Sequence, residues 1–143
     1  MDSKTMERAV AEVQEHVADT VTRKLDECPV GAVLHQGDVY LHRVADDHPH
    51  GAELGTRQVA VGTTIGSRHV VVGSQLKVFA GVKLPDRVKA MPWCRGSDLL
   101  GPVVVAGEAF VLTHPEHAHH ECPAGKYQVT YQADFSTRQR VSD

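Results

Sequence analysis

The clearest strand signal in the sequence is the stretch Tyr127-Gln128-Val129-Thr130-Tyr131-Gln132-Ala133. Tyr127, Val129 and Tyr131 alternate with the polar residues Gln128, Thr130 and Gln132. This period of two is typical of a strand with one buried face and one solvated face. Valine-rich stretches without a helical pattern between them predict further strands at residues 32–44, with an interruption at 36–38, and at 56–61, 68–72, 76–82, 103–106 and 109–113. We therefore predict a mainly β fold, a small antiparallel barrel or sandwich, over residues 29–135, followed by a polar tail at 136–143.

Residues 3–28 show a different period and predict one N-terminal amphipathic α-helix, so that residues 1–28 form a segment of their own. Apolar side chains recur there at steps of three and four and form one stripe. The stripe consists of Met6, Val10, Val13, Val17, Val21 and Leu25. Pro29 and Gly31 would end the helix. The helix would either cap the core of its own domain or dock on a neighbouring subunit.

Composition and charge narrow the class of protein. The chain has 143 residues and a mass of 15.6 kDa, which corresponds to a single domain. Its net charge of -3 argues against nucleic acid or an anionic membrane as the main partner. The N-terminus resembles no signal peptide, no apolar run is long enough to span a membrane, and three cysteines show no CxxC spacing. We therefore expect a cytoplasmic protein with reduced thiols.

Histidine is the one anomaly, since the chain contains ten. Residues 113–122 hold four histidines, two glutamates and one cysteine, which are the donor types that Zn, Fe or Ni accept. The metal ligands we predict are His69, His114 and His117, with Glu116 as a further candidate. The alternative is a solvated loop whose histidines make only hydrogen bonds.

Four motifs follow one another in a specific order. They are Gln36-Gly37-Asp38-Val39, Gly-Thr-Thr-Ile-Gly-Ser-Arg-His at 62–69, Leu-Thr-His-Pro-Glu-His at 112–117, and Pro-Ala-Gly-Lys-Tyr-Gln-Val at 123–129. This order resembles an uncharacterised family of small bacterial and phage-borne β proteins with the pattern QGD, GExTGHxH, HxEH and PxGxY, and the resemblance covers residues 36–132. It implies a β fold and aligns His69, His114, Glu116 and His117 with the family's histidine motifs. Thr63 and Ser67 depart from the pattern, because the family has Glu and His there.

No complete catalytic constellation is present, since the chain contains no GxSxG elbow and no phosphate-binding glycine motif. We therefore predict a non-enzymatic accessory or structural protein that acts through self-association or binding of a protein partner, most simply as a homo-oligomer. The alternative is a cupin-like metal-binding protein or metalloenzyme that uses the histidine cluster. A third hypothesis is an assembly that responds to pH through its histidines.

Overall fold

The computed structural model describes residues 22–60, 69–86, 88, 99–115, 117–134 and 139–140. All secondary-structure elements in this part of the chain are strands. They are β1 (Thr22–Lys24), β2 (Val33–Gln36), β3 (Val39–Val44), β4 (His50–Leu54), β5 (Gln58–Ala60), β6 (His69–Val72), β7 (Leu76–Gly81), β8 (Leu100–Ala106), β9 (Phe110–Thr113), β10 (His119–Cys122), β11 (Gly125–Tyr131), β12 (Ala133–Asp134) and β13 (Gln139–Arg140).

The strands form two main sheets and one short pair. The five-stranded sheet has the order β1-β10-β9-β6-β5, the six-stranded sheet has the order β2-β3-β11-β8-β7-β4, and β12 pairs with β13. Neighbouring strands are antiparallel except β1 and β10, which are parallel. In the described residues β1 and β5 are the edges of the first sheet, and β2 and β4 are the edges of the second.

The hydrophobic core contains side chains from both main sheets. The five-stranded sheet contributes Val59, Val71, Phe110, Leu112 and Cys122, and the six-stranded sheet contributes Val39, Leu41, Val78, Val104, Tyr127 and Val129. The rings of Phe110 and Tyr127 meet edge to face with centroids 5.3 Å apart. β-branched residues suit these strands because they fill a pleated surface well. Apolar burial between the sheets is therefore the main term that holds them together.

β11 is buried on both faces, whereas its alternation predicts one buried and one solvated face. Tyr127 and Val129 are fully buried in the core, but Gln128 and Thr130 on the other face are also only 0% and 2% exposed. β11 lies between β3 and β8 in the middle of its sheet. Its polar side chains find partners there, since Gln128 Nε2 donates to the carbonyl oxygen of Gly101 at 2.8 Å. Because these polar side chains form hydrogen bonds, their burial has a low cost in free energy.

The predicted architecture, an antiparallel barrel or sandwich preceded by one amphipathic helix, needs correction on two points. Among the described residues, neither main sheet is closed. Residues 22–24 lie inside the predicted helix but form β1, which pairs with β10 and continues in a bond from Leu25 N to Glu121 O at 3.1 Å. Inter-strand hydrogen bonds thus replace the helical ones, in a segment whose valines and threonines have little preference for a helix.

The remainder of the predicted helix, including Met6, Val10, Val13, Val17 and Val21, lies outside the described residues. Leu25 is half-buried and follows β1 directly. The six-residue stripe is therefore not one continuous helical face. No helix in the described part of the chain is long and apolar enough to span a membrane.

Candidate functional site

Gln36, Gly37 and Asp38 form the tight connection between β2 and β3. Gln36 is paired with Val39, so only Gly37 and Asp38 lie in the loop. Gly37 has a φ of 57°, in the left-handed region that glycine adopts without strain. Gln36 and Asp38 are only 2% and 4% exposed. This turn therefore carries two polar side chains into the protein instead of into solvent.

Gln36 connects this turn to the five-stranded sheet through three hydrogen bonds. Its Nε2 donates to the carbonyl oxygens of Leu112 at 3.0 Å and Ala118 at 2.8 Å. Its Oε1 lies 2.8 Å from Nδ1 of His69. Because both amide hydrogens are used, the amide oxygen must accept, and His69 donates from Nδ1. Gln36 therefore fixes the orientation and tautomer of His69.

The other ring nitrogen of His69 faces a carboxylate. His69 Nε2 lies 3.1 Å from Oδ1 of Asp38, and the His69 side chain is fully buried. Burial and, to a smaller extent, the neighbouring His114 lower the pKa of His69 from 6.5 to about 4, against the opposing effect of Asp38. The ring is therefore neutral near pH 7. With Nδ1 protonated, Nε2 keeps its lone pair, so Nε2 and Oδ1 need a proton or a cation between them.

His114 and His117 lie beside His69. The register of β6 and β9 pairs Val70 with Thr113, and Thr113 Oγ1 also donates to Val70 O at 2.9 Å, which brings the end of β9 next to His69. The ring centroid of His114 is 4.4 Å from that of His69 and 4.3 Å from that of His117. The centroids of His69 and His117 are 6.4 Å apart. His114 is 1% exposed and His117 is half-buried.

We call these side chains the histidine centre; its members are Gln36, Asp38, His69, His114 and His117. The structure brings together the three histidines that the sequence predicts as ligands, although they come from different parts of the chain. Glu116, the further predicted ligand, lies outside the described residues. As the side chains are arranged, the described residues include no group of three or more His, Cys, Asp or Glu that could hold a metal ion.

Sequence reasoning missed Gln36 and Asp38 as members of the site. The Gln-Gly-Asp motif was informative only as the start of a strand, because nothing in its local pattern indicates a contact 33 residues away in His69. A useful signal was nevertheless present. A turn needs only glycine and one small polar residue, so a glutamine and an aspartate that flank the glycine had polar groups left to satisfy.

Cys122 does not have the properties of a nucleophile. It is fully buried on β10, and burial raises the pKa of its thiol to about 12, with further contributions from Cys28 and Glu121. The thiolate is the reactive form, so this cysteine is inert near neutral pH. Its Sγ donates to the backbone carbonyl oxygen of His120 at 3.7 Å.

A cleft of about 450 Å³ is a separate feature of the six-stranded sheet. Its lining includes His48, which bonds Gln128 Oε1 at 2.9 Å, and His42, which bonds Thr130 Oγ1 at 2.8 Å. Both imidazoles therefore form hydrogen bonds with buried polar side chains of β11. The charged lining residues are Arg43, Lys83, Asp47 and Asp86, which carry both signs. This lining does not favour one class of ligand.

The family model of DUF8820, a domain of unknown function, matches residues 35–132. The chain belongs to this family. No curated protein and no solved structure matches it. The DUF8820 match agrees with the resemblance to a family without an assigned function, while the four-motif pattern and a phage origin stay predictions. Every member of the histidine centre lies inside the DUF8820 domain, and most of the apolar stripe precedes it.

Proposed function

We propose that the histidine centre binds one divalent transition-metal ion, Zn, Fe or Ni, through the imidazoles of His69, His114 and His117. The observation that carries this proposal is the meeting of three imidazoles and a buried carboxylate in the interior. Three imidazoles bound to one tetrahedral ion have ring centroids about 5 Å apart. The observed separations of 4.3, 4.4 and 6.4 Å bracket that value.

Two features of His69 suit it to be a ligand. A metal-bound imidazole must be neutral, and burial keeps the pKa of this ring low. The nitrogen that does not bind the metal usually donates to a fixed acceptor, which orients the ring. Gln36 Oε1 is such an acceptor for Nδ1.

Ion uptake would require His114 and His117 to turn, because the present arrangement does not hold an ion. The two rings now lie side by side and tilted. Each has to rotate until one of its nitrogens faces the same point as Nε2 of His69. His117 and Ala118 are half-buried and Pro115 is exposed, so this connection borders solvent. An ion could enter the site from this side.

The direct test is metal retention by protein that is stripped with a chelator, reloaded with Zn, Fe(II) or Ni, and desalted. We expect about one equivalent of one of these metals in the wild-type protein by elemental analysis. Replacing His114 and His117 together by Ala should remove it. The control variant replaces His48 and His50, which lie outside the centre, and should keep the full equivalent. A full equivalent in the His114/His117 variant, or no retention by wild type, would contradict metal binding.

A second candidate function, self-association, is favoured by the open edges of the sheets. β2 is an edge strand in the described structure, and edge strands present unpaired backbone groups to another chain. The exposed Val33 on β2 and Val30 just before it are 37% and 62% exposed. We propose that a second copy of the chain pairs along this edge. Association through the stripe from Met6 to Leu25 also stays a prediction.

Sedimentation velocity tests self-association. The wild-type protein should sediment as a dimer at tens of micromolar, and Val33→Lys should sediment as a monomer while its circular dichroism spectrum is unchanged, because lysine on an edge opposes strand pairing. Leu54→Lys on the other edge strand, β4, is the matched control and should stay dimeric. A wild-type monomer at this concentration would show that the β2 edge does not act in this way.

A further inference from the structure

Residues 22–28 form an arm that precedes the DUF8820 domain and covers one edge of its five-stranded sheet. Within this arm β1 pairs with β10, and the two strands are parallel. A hydrogen bond from Leu25 N to Glu121 O, 3.1 Å long, extends the pairing beyond β1. The next strand, β2, belongs to the six-stranded sheet, so the chain crosses from one sheet to the other directly after the arm.

The arm is attached to the sheet by few contacts. Lys24, Asp26 and Glu27 are exposed and Leu25 is half-buried, whereas Cys28 is 9% exposed and belongs to the hydrophobic core. A strand of three residues forms few backbone hydrogen bonds, and parallel pairs are slightly less stable per residue than antiparallel pairs. Segments that bury little apolar surface open first in a folded protein. We therefore expect the arm to separate from β10 while the two sheets stay packed.

A tight turn after the arm determines where the arm lies. Ala32 N donates to Pro29 O at 3.0 Å, and Gly31 has a φ of 96°. These are the features of a type II turn, whose third residue needs a positive φ and is usually glycine. A Cβ at Gly31 would meet no atom within 4 Å, so glycine is required there for its backbone conformation and not for space. Val30, inside the turn, is 62% exposed, so the turn lies at the surface where it can open.

We propose that residues 22–28 are an exchangeable arm: when the turn at Gly31 opens, β1 leaves its own β10 and pairs with β10 of a second copy, which donates its arm in return. The β10 edge fits this occupant because the same residues already pair on it within one chain, so the exchanged dimer needs no new contact between β1 and β10. The exchange uses a different sheet edge from the β2 pairing proposed above and does not depend on it. Within one chain the effective concentration of the arm is on the order of millimolar, so the closed form prevails in dilute protein.

The test places the substitutions in the Val33→Lys background, in which pairing along β2 is blocked. Gly31→Val disfavours the positive φ of the turn, so it should open the turn and double the molar mass measured by sedimentation equilibrium at tens of micromolar. Gly55→Val is the matched control and should stay monomeric, because a Cβ at Gly55 also meets no atom within 4 Å and its φ lies outside the left-handed region. Adding Leu25→Pro to Gly31→Val removes the N–H that donates to Glu121 O and should restore the monomer.

A Gly31→Val variant that keeps the circular dichroism spectrum of the parent and stays monomeric would contradict the exchange, as would a dimer that survives Leu25→Pro. Should Gly31→Val fail to fold, refolding of the Val33→Lys protein from urea at about 1 mM decides, since this concentration is comparable to the effective concentration of the arm. A dimer that dissociates slowly after dilution supports the exchange, because each arm has to separate before the subunits part. A monomer, or a dimer that dissociates at once, overturns it. If the Val33→Lys protein is dimeric before refolding, the β2 pairing fails, and loss of that dimer with Leu25→Pro still supports the exchange, whereas its persistence overturns it.

Discussion

Replacing Gln36 by Ala should destabilise the metal-free protein by about 3–5 kcal/mol, because a buried polar group left without its partner costs about 1–3 kcal/mol. The substitution removes three hydrogen bonds at once. It leaves the carbonyl oxygens of Leu112 and Ala118 and the Nδ1 hydrogen of His69 without their partner. All three bonds join the β2–β3 turn to residues of, or next to, the five-stranded sheet. Urea denaturation followed by circular dichroism measures the loss.

Two further variants give the Gln36 experiment its specificity. Gln36→Glu keeps the size and an acceptor for His69, but it places a carboxylate against two carbonyl oxygens, so it should be at least as destabilising as Ala. Gln75→Ala is the matched control, since Gln75 is exposed and its loss should cost within about 0.5 kcal/mol. A Gln36→Ala variant that loses less than 1 kcal/mol would show that these bonds do not secure the turn.

Most strands could be predicted from the sequence because their signal is local. The predicted stretches at 56–61, 68–72, 76–82 and 109–113 contain β5, β6, β7 and β9. Each is a run of β-branched or alternating residues whose pattern reflects burial of its own side chains. The strands that were missed include β1, β4 and β10, whose local patterns do not indicate a strand. Residues 45–54 have the polar composition of a loop, yet β4 pairs with β7. β1 and β10 pair with each other, and neither pattern alone indicates that partnership.

In the candidate site too, some residues could be recognised from the local sequence and others only from their neighbours in the fold. His69, His114 and His117 could be predicted because their residue type already implies a chemistry. Gln36 and Asp38 could not be assigned, because a glutamine or aspartate acquires its role only from the residues that the fold places around it. The contact from Gln36 to Leu112 spans 76 positions along the chain. The prediction that β11 has one solvated face was wrong for a related reason, since residues elsewhere in the sequence bury its polar side chains.

Acidification should destabilise the metal-free protein through His69. The pKa of this ring is lowered from 6.5 to about 4 in the folded state, so between these values the unfolded chain binds a proton that the folded chain does not. The contribution is therefore fully present above about pH 6.5 and is lost as the pH falls toward 4. A shift of this size corresponds to about 3 kcal/mol. The charged and titratable groups that face His69 are Asp38, His114 and His117.

The measurement is the free energy of unfolding in urea at pH values from 7.5 to 4, with a chelator present to keep the site free of metal. Wild-type stability should fall steadily below pH 6.5, and His69→Gln should show a shallower fall, because the variant lacks the group that takes up the proton on unfolding. His50→Gln is the control, since His50 is exposed, and it should follow wild type. The opposite dependence would follow if Asp38 kept His69 protonated in the folded state. The folded pKa would then be raised, and stability would be lost as the pH rises above neutrality. A wild-type protein that is most stable in mild acid would therefore contradict a neutral His69.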